Sequence, residues 1–469
     1  MGWSRGLSVE VGGRDVVSHV GTAVVRLLAD RVGLTAGLSA AVPAGGRVLG
    51  HDRGRVLTDV AVAIADGGTR IGDVAVLGDQ AGLFGSVAST PTVWRTLDEA
   101  SGRLDALAQA RAAVRARVWD QITARHGGVP ACRVAGTDLG DTVVIRLDAT
   151  IVIAHSEKEQ ATRTWKKTFG HHPLTAWCDN TGEALVIRPR PGRAGANTAA
   201  DHIEVLDEAI AQIPARHRSN LLVTVDGAGS THALVDHLTA LNNDPAWPDR
   251  RVRFAVGFDL DERVRRAIGR LPESVWCPAL DAQGRPRDNG EVAELTGLLR
   301  GGPVGDQLAS WPADIRIIVR RERPHPGAQL SLFEHHTGYR FQVTATDLPN
   351  GQVAFLEACH RVQARVESRI RCGKDTGLRR LPSQKYPINQ VWCVAVGIAC
   401  DLLAWLALLT LDGDLAKAEP KTLRYRLLHT AGRIINGQRR RRLRIPASWP
   451  WADALATAFA RILALPAPD

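Results

Sequence analysis

Two apolar runs rich in β-branched residues, VVIRLD ending at Asp148 and LLVTVD ending at Asp226, constrain this chain more than any other feature. Each has the mark of a buried strand: a short continuous apolar stretch bounded by turn residues. An acid at the end of such a strand is poorly solvated unless a cation or hydrogen-bond donors meet it. In open sheets that edge is where ligands bind. The neighbouring segments fill in the pattern. LTAWCDN and EALVIRPR are joined by a Gly-containing turn as a hairpin, ANTAADHIEVLDEAIAQI and THALVDHLTAL have helical spacing, and RVRFAVGFDL is another strand. Strand hairpins followed by alternating helix and strand predict a mixed α/β domain.

A third acid belongs with the two aspartates. In LEACHRVQARVESRIRCGKDTG, the residues His360, Gln363, Glu367 and Lys374 fall on nearly one face of a helix. Arg361, Arg365, Arg369 and Arg371 surround Glu367 with positive charge. Such a helix offers one carboxylate to a metal while its cations meet DNA phosphates. Three carboxylates form a hard oxygen site suited to Mg²⁺ or Mn²⁺, and two ions held there promote phosphoryl transfer. Glu357, outside this set, is expected to be an ordinary acid that tolerates replacement.

The remaining sequence divides around this core. Residues 1–135 are expected to be a helical, DNA-binding N-terminal region. In it Ser89 or Thr90 caps a helix with Pro91 in its first turn, and Thr92, Trp94 and Arg95 are the candidates for reading DNA. Residues 136–258 and 349–410 form the catalytic domain. Residues 259–348 form a β-rich insertion, with IRIIVRRE as a strand and SLFEHHTGYRFQVTATDL as a hairpin. Residues 411–469 are expected to be helical and basic.

Charge supports a polyanionic partner. The chain carries a net charge of +10, and between Lys417 and Arg444 basic residues outnumber acids ten to one, including Arg439, Arg440, Arg441 and Arg442. A localised basic stripe is the footprint of a nucleic-acid binder. Seven scattered cysteines, none spaced as CxxC, indicate neither a zinc ribbon nor a disulfide framework, and a reduced cytoplasm fits best. VWCVAVGIACDLLAWLALLTL is long enough to span a bilayer, but Asp401 at its centre favours a buried core helix and no membrane. His171 and His172 are expected at a turn or on the surface.

Taken together these motifs resemble the DDE transposases of bacterial insertion sequences, in the cut-and-paste branch with a β-rich insertion before the catalytic Glu (the insertion-sequence 1380 group). That branch carries a helical signature of Tyr, two residues, Arg, three residues, Glu, six residues, Lys. Glu367 and Lys374 match it, while His360 and Gln363 stand in the Tyr and Arg places. LDAT at Asp148 resembles the first-acid motif and VDGAGS at Asp226 the second.

The resemblance implies a ribonuclease-H-like mixed sheet and a Mg²⁺- or Mn²⁺-dependent transposase using Asp148, Asp226 and Glu367. It implies double-stranded DNA partners, namely terminal inverted repeats and target, and a homodimeric synaptic complex in the bacterial cytoplasm. Lys374, Arg361, Arg365, Arg371, Arg95 and Arg439 to Arg442 are the expected DNA contacts. In relatives a Trp of the insertion holds a flipped base; Trp276 and Trp311 are the insertion's Trp residues, and core packing is the expectation for both. The alternatives are a DNA-binding repressor derived from a transposase, or a metal-dependent nuclease without strand transfer. No GxxxxGK[ST] or Gly-x-Ser-x-Gly occurs, so neither an ATPase nor an acyl-transfer enzyme has support.

Overall fold

The computed structural model describes residues 8, 11–13, 15–46, 49–155, 157–195, 198–227, 231–302, 305–437 and 440–467. The N-terminal third is helical: α1 (Thr22–Arg31), α2 (Leu34–Ala41), α3 (Arg53–Ala65), α4 (Thr90–Ala100) and α5 (Leu104–His126). Local chemistry sets their ends. The Asp52 carboxylate accepts from Arg55 N–H at 2.7 Å to start α3, and Gly127, at φ +79°, ends α5. Pro91 stands in the first turn of α4 as expected, though Ser89 at its N-cap makes no side-chain capping bond.

Five strands follow: β1 (Val143–Ala149), β2 (Leu174–Cys178), β3 (Ala184–Arg188), β4 (Asn220–Val225) and β5 (Arg251–Phe258). Helices α6 (Ala199–Gln212) and α7 (His232–Ala240) connect the later ones. The order is β3-β2-β1-β4-β5, with β2 antiparallel to both of its neighbours, β1 and β3, and with β1, β4 and β5 parallel. This is the ribonuclease-H-like arrangement.

The stretch from 259 to 348 supplies four more strands, β6 (Cys277–Leu280), β7 (Pro286–Glu294), β8 (Arg316–Glu322) and β9 (Arg340–Thr346). They do not form a sheet of their own. β9 pairs antiparallel with β5, from Ala255 opposite Thr346 to Phe258 opposite Val343, and the central sheet grows to nine strands. The segment expected to form the first arm of a hairpin is instead a helix, Leu332–Thr337. Ser331 and Glu334 close a capping box at its start, and those reciprocal bonds outweigh the weak alternation of SLFEHH.

After β9 come α8 (Val353–Arg361), α9 (Arg365–Gly373) and α10 (Tyr386–Thr410). Among the described residues α10 is the one helix long and apolar enough to cross a membrane, and 78% of its apolar window is buried within the fold. It packs against α3, α5 and β3, so hydrophobic contact with the protein's own elements satisfies its apolar surface. Its central Asp401 accepts from Arg111 Nη2 at 2.8 Å, Arg115 Nη2 at 2.6 Å and Ala184 N–H at 3.0 Å.

The tail departs from the helical expectation. β10 (Gly432–Gly437) and β11 (Arg440–Arg444) form an antiparallel hairpin, and α11 (Ala452–Ala464) closes the chain. Val16–Val17 pairs with β10 to make a three-stranded sheet. The hairpin's partner strand comes from the opposite end of the sequence, which local spacing does not report.

Candidate active site

β1 and β4 run parallel with Leu147 opposite Val225. One residue further along each strand stand Asp148 and Asp226, on neighbouring strands about 4.8 Å apart and pointing to the same side of the sheet. Thr175 of β2, opposite Asp148, donates its hydroxyl to the Asp148 carbonyl at 2.8 Å. Ala149 N–H donates to the Asp148 carboxylate at 2.7 Å.

Glu367 lies in the first turn of α9 with its side chain exposed. Two neighbours in the sequence signature fix where that helix sits. The amide Nε2 of Gln363 donates to the Leu147 carbonyl at 2.7 Å, and its oxygen accepts from the Thr224 hydroxyl. His360 Nε2 meets the Val225 carbonyl at 3.2 Å, and its Nδ1 meets Thr344 Oγ1 at 3.0 Å. Burial pushes the His360 imidazole down to about 4, so the ring is neutral, Nε2 carries the proton and Nδ1 accepts. The two residues that depart from the family signature therefore anchor the helix to the carbonyls just before Asp148 and Asp226. They are positioning residues rather than phosphate contacts, and the sequence alone did not assign them that part. Gly373 lets α9 approach β2: a Cβ there would lie 3.2 Å from the ring of Trp177.

The acids act on one another. Burial, first, and the charge of Asp226, next, raise the Asp148 carboxyl to about 7; Glu367 adds to this, while the Ala149 N–H and Lys374 oppose it. The carboxylates interact without closing to ligand spacing. Among the described residues the group whose ligand atoms all lie within 4.8 Å of one another is another one, His19, Asp66 and His429. A hard, all-oxygen set whose members hinder each other's ionisation fits a divalent cation of the Mg²⁺ or Mn²⁺ type.

This electrostatics has a consequence for stability without metal. A carboxyl at about 7 when folded and 3.8 when unfolded binds more protons in the folded state between those values, so its contribution to stability is lost as pH rises from about 4 to about 7. In a chelator, unfolding midpoints of wild type and Asp148→Asn coincide at the acid end of that window, and the variant becomes the more stable towards neutrality. Parallel pH profiles for the two proteins would show that Asp148 does not titrate in this way.

The expected DNA-contacting cations are not all gathered here. Lys374 is half-buried near Asp148, and burial together with Lys166 and Arg379 lowers its pKa. Arg361 turns into the insertion, donating to the Leu280 carbonyl and pairing with Glu357 at 3.2 Å. Arg365 is held by Asp179 at 3.1 Å and the Arg133 carbonyl at 2.8 Å. Arg371 forms a two-point pair with Glu419, at 2.8 and 2.7 Å. Arg440, Arg441 and Arg442 are exposed on β11 of the separate three-stranded sheet, and Arg439 lies outside the described residues. Arg95 is exposed on α4, beside a half-buried Trp94 whose ring lies 4.9 Å from Lys385 Nζ.

Other expectations need correction. Glu357 is buried, facing Arg320 at 3.5 Å as well as Arg361, because α8 lays it over the insertion strands. His171 and His172 are buried too, His171 Nε2 at 3.1 Å from the Glu159 carbonyl and His172 Nδ1 at 3.0 Å from that of Ala194. Trp276 and Trp311, by contrast, pack against the core as expected, Trp276 beneath Arg321 and Trp311 on His232 and Phe258. A cleft of about 270 Å³ opens beside Asp148, lined by Thr150, Trp165, Lys166, His172 and Lys374. Trp165 is 68% exposed there. The run Trp165-Lys166-Lys167, an aromatic residue followed by two cations, was the available signal in the sequence.

The model of the family described as "Transposase DDE domain group 1" matches residues 2–467. No curated protein matches the chain. Among solved structures, the piggyBac transposase synaptic complex with hairpin DNA (SNHP) is similar over 88% of this chain and 80% of that chain, at 9% sequence identity and a TM-score of 0.40.

Proposed function

The chain belongs to the DDE transposase family, domain group 1, and from that premise we propose that it cleaves DNA at the ends of its own mobile element and joins them to a target. Asp148, Asp226 and Glu367 hold two divalent ions in this reading. The observation that carries it is the parallel register placing Asp148 beside Asp226, with Glu367 acting on Asp148 from α9. Mg²⁺ or Mn²⁺ held by these carboxylates would activate a water or a DNA 3′-hydroxyl as nucleophile and stabilise the leaving oxygen.

The chain's own residues do the rest. Gln363 and His360 hold Glu367 against the sheet edge. Lys374 and Lys166, at the cleft beside Asp148, receive DNA phosphates and position the strand. Double-stranded DNA at the element's ends and at the target is the partner, and a homodimer brings two ends together. The test is a plasmid assay with and without Mg²⁺. Cleavage with joining supports the proposal; cleavage alone makes the protein a nuclease, and binding alone makes it a repressor.

The basic hairpin contributes affinity rather than sequence discrimination. Changing Arg440, Arg441 and Arg442 together to Gln weakens binding to element ends and to random duplexes alike. It also lowers the slope of log K against log salt by up to roughly 2–3, at about 0.9 for each phosphate no longer neutralised. Gel shifts across a salt series measure this. Loss of discrimination at unchanged affinity and slope would contradict it.

A further inference from the structure

A cluster remote from the carboxylate triad in sequence joins the two ends of the chain. His19 precedes α1, Asp66 caps the C-terminus of α3, and His429 leads into β10. Their ligand atoms lie within 4.8 Å of one another. His19 Nδ1 is 2.6 Å from one Asp66 carboxylate oxygen, and His429 Nε2 is 3.3 Å from the other and 2.9 Å from the Asp66 carbonyl. The two imidazoles stack with centroids 4.1 Å apart, both nitrogens aimed at one buried carboxylate.

Two further observations set this cluster apart from an ordinary ion pair. His19 holds φ at +54°, a left-handed conformation that non-glycine residues adopt at a cost, and the turn presents its ring to Asp66. The Thr22 hydroxyl donates to Asp66 Oδ1, the outer-shell support that orients a ligating carboxylate. Arg424 is the nearby cation, and its guanidinium is engaged by the carbonyls of Ala65 and Asp375, both at 2.8 Å, and by Thr376 Oγ1 at 3.1 Å.

We propose that His19, Asp66 and His429 form a binding site for a transition-metal ion of the Zn²⁺ class, fastening α1 and α3 to the root of the basic hairpin. Two imidazoles with one carboxylate suit Zn²⁺ rather than Mg²⁺. Ligands sharing a tetrahedral zinc lie roughly 3.3 Å apart at metal–ligand lengths of about 2.0–2.1 Å. The partly exposed rings of His19 and His429 can rotate to that spacing, and water takes the fourth position. The ion would take the place of the contacts that now join the two rings to the carboxylate. Its place is mechanical: Val20 N–H donates to the Thr430 carbonyl at 2.8 Å and Ile434 N–H to that of Asp15 at 2.9 Å. The site thus sits where the N-terminal segment and the hairpin already join.

The test is calorimetric titration of Zn²⁺ into the chelator-stripped full-length protein, in excess Mg²⁺ to occupy hard carboxylate sites. Co²⁺ absorption provides a second reading of imidazole ligation. The expected result is one tight equivalent, weakened more than about tenfold in His19→Ala and in His429→Ala, with a Zn²⁺-induced rise in melting temperature that both variants lose. His19 is partly exposed, so His19→Ala keeps the test usable if His429→Ala fails to fold. No Zn²⁺ uptake in the presence of Mg²⁺, or uptake and melting shifts unchanged in a folded variant, would overturn the proposal.

Discussion

If the proposed function holds, replacing Asp148, Asp226 or Glu367 singly with Ala is expected to lower cleavage of a labelled element end by about three orders of magnitude while leaving binding to that end near the wild-type level. Metal-assisted charge stabilisation contributes several kcal/mol to such a transition state, and each 1.4 kcal/mol or so is a factor of about ten in rate. Losing one ligand also releases the Coulomb penalty that the acids impose on Asp148, so folding and DNA affinity do not suffer with the rate. Lys374→Ala is expected to be milder, by roughly tenfold, because the phosphate contact proposed for it would position DNA without performing the chemistry. Asp236, exposed on α7, is the control acid, and its Ala variant cuts at the wild-type rate. Glu357 cannot serve, since its buried carboxylate answers Arg320 and Arg361. Cleavage in Mg²⁺ or Mn²⁺ beside a gel shift on each variant measures both quantities. A triad variant that cuts at a rate near wild type would remove that residue from the site.

The second large effect is on stability. Arg115→Ala is expected to destabilise the fold by about 3–5 kcal/mol, because it removes the cation paired with buried Glu183 and leaves Asp401 with Arg111 alone. Arg115 is fully buried on α5. It donates from Nε to Glu183 at 2.8 Å, from Nη2 to Asp401 at 2.6 Å, and from Nη1 to Gln212. Glu183 also accepts from Trp119 and Trp405, each at 2.7 Å, and from Thr181 at 2.5 Å. The network ties α5, the β2–β3 turn, α6 and α10 together, so its loss is felt throughout the central sheet and the helices packed on it. Arg371→Ala, which breaks an exposed pair with Glu419, is expected to leave the unfolding midpoint nearly unchanged. Urea unfolding followed by circular dichroism compares the two. Equal midpoints would mean that the buried network contributes no more than a surface pair.

The same network explains why α10 is apolar and still carries an acid. Asp401 was legible as an obstacle to membrane insertion, but its partners stand 290 and 286 residues earlier in the chain, on α5. Spacing within one helix shows which side chains share a face. It does not show what that face meets.

Local order in the sequence determined the strands ending at Asp148 and Asp226, the helix bearing Glu367 and the alternation that makes a ribonuclease-H-like sheet, because β-branched runs and helical spacing act over a few residues. What the tertiary structure decided was everything requiring distant partners. It placed His360 and Gln363 on backbone carbonyls of β4 and β1, turned Arg361 into the insertion, engaged the exposed Arg365 with Asp179, and extended the central sheet through the strands of the insertion. It also folded the basic tail into a hairpin against Val16–Val17 and brought His19, Asp66 and His429 together across the length of the chain. Those outcomes depend on which buried polar groups find partners once the core has closed. That requirement falls on atoms near in space, whatever their separation in sequence.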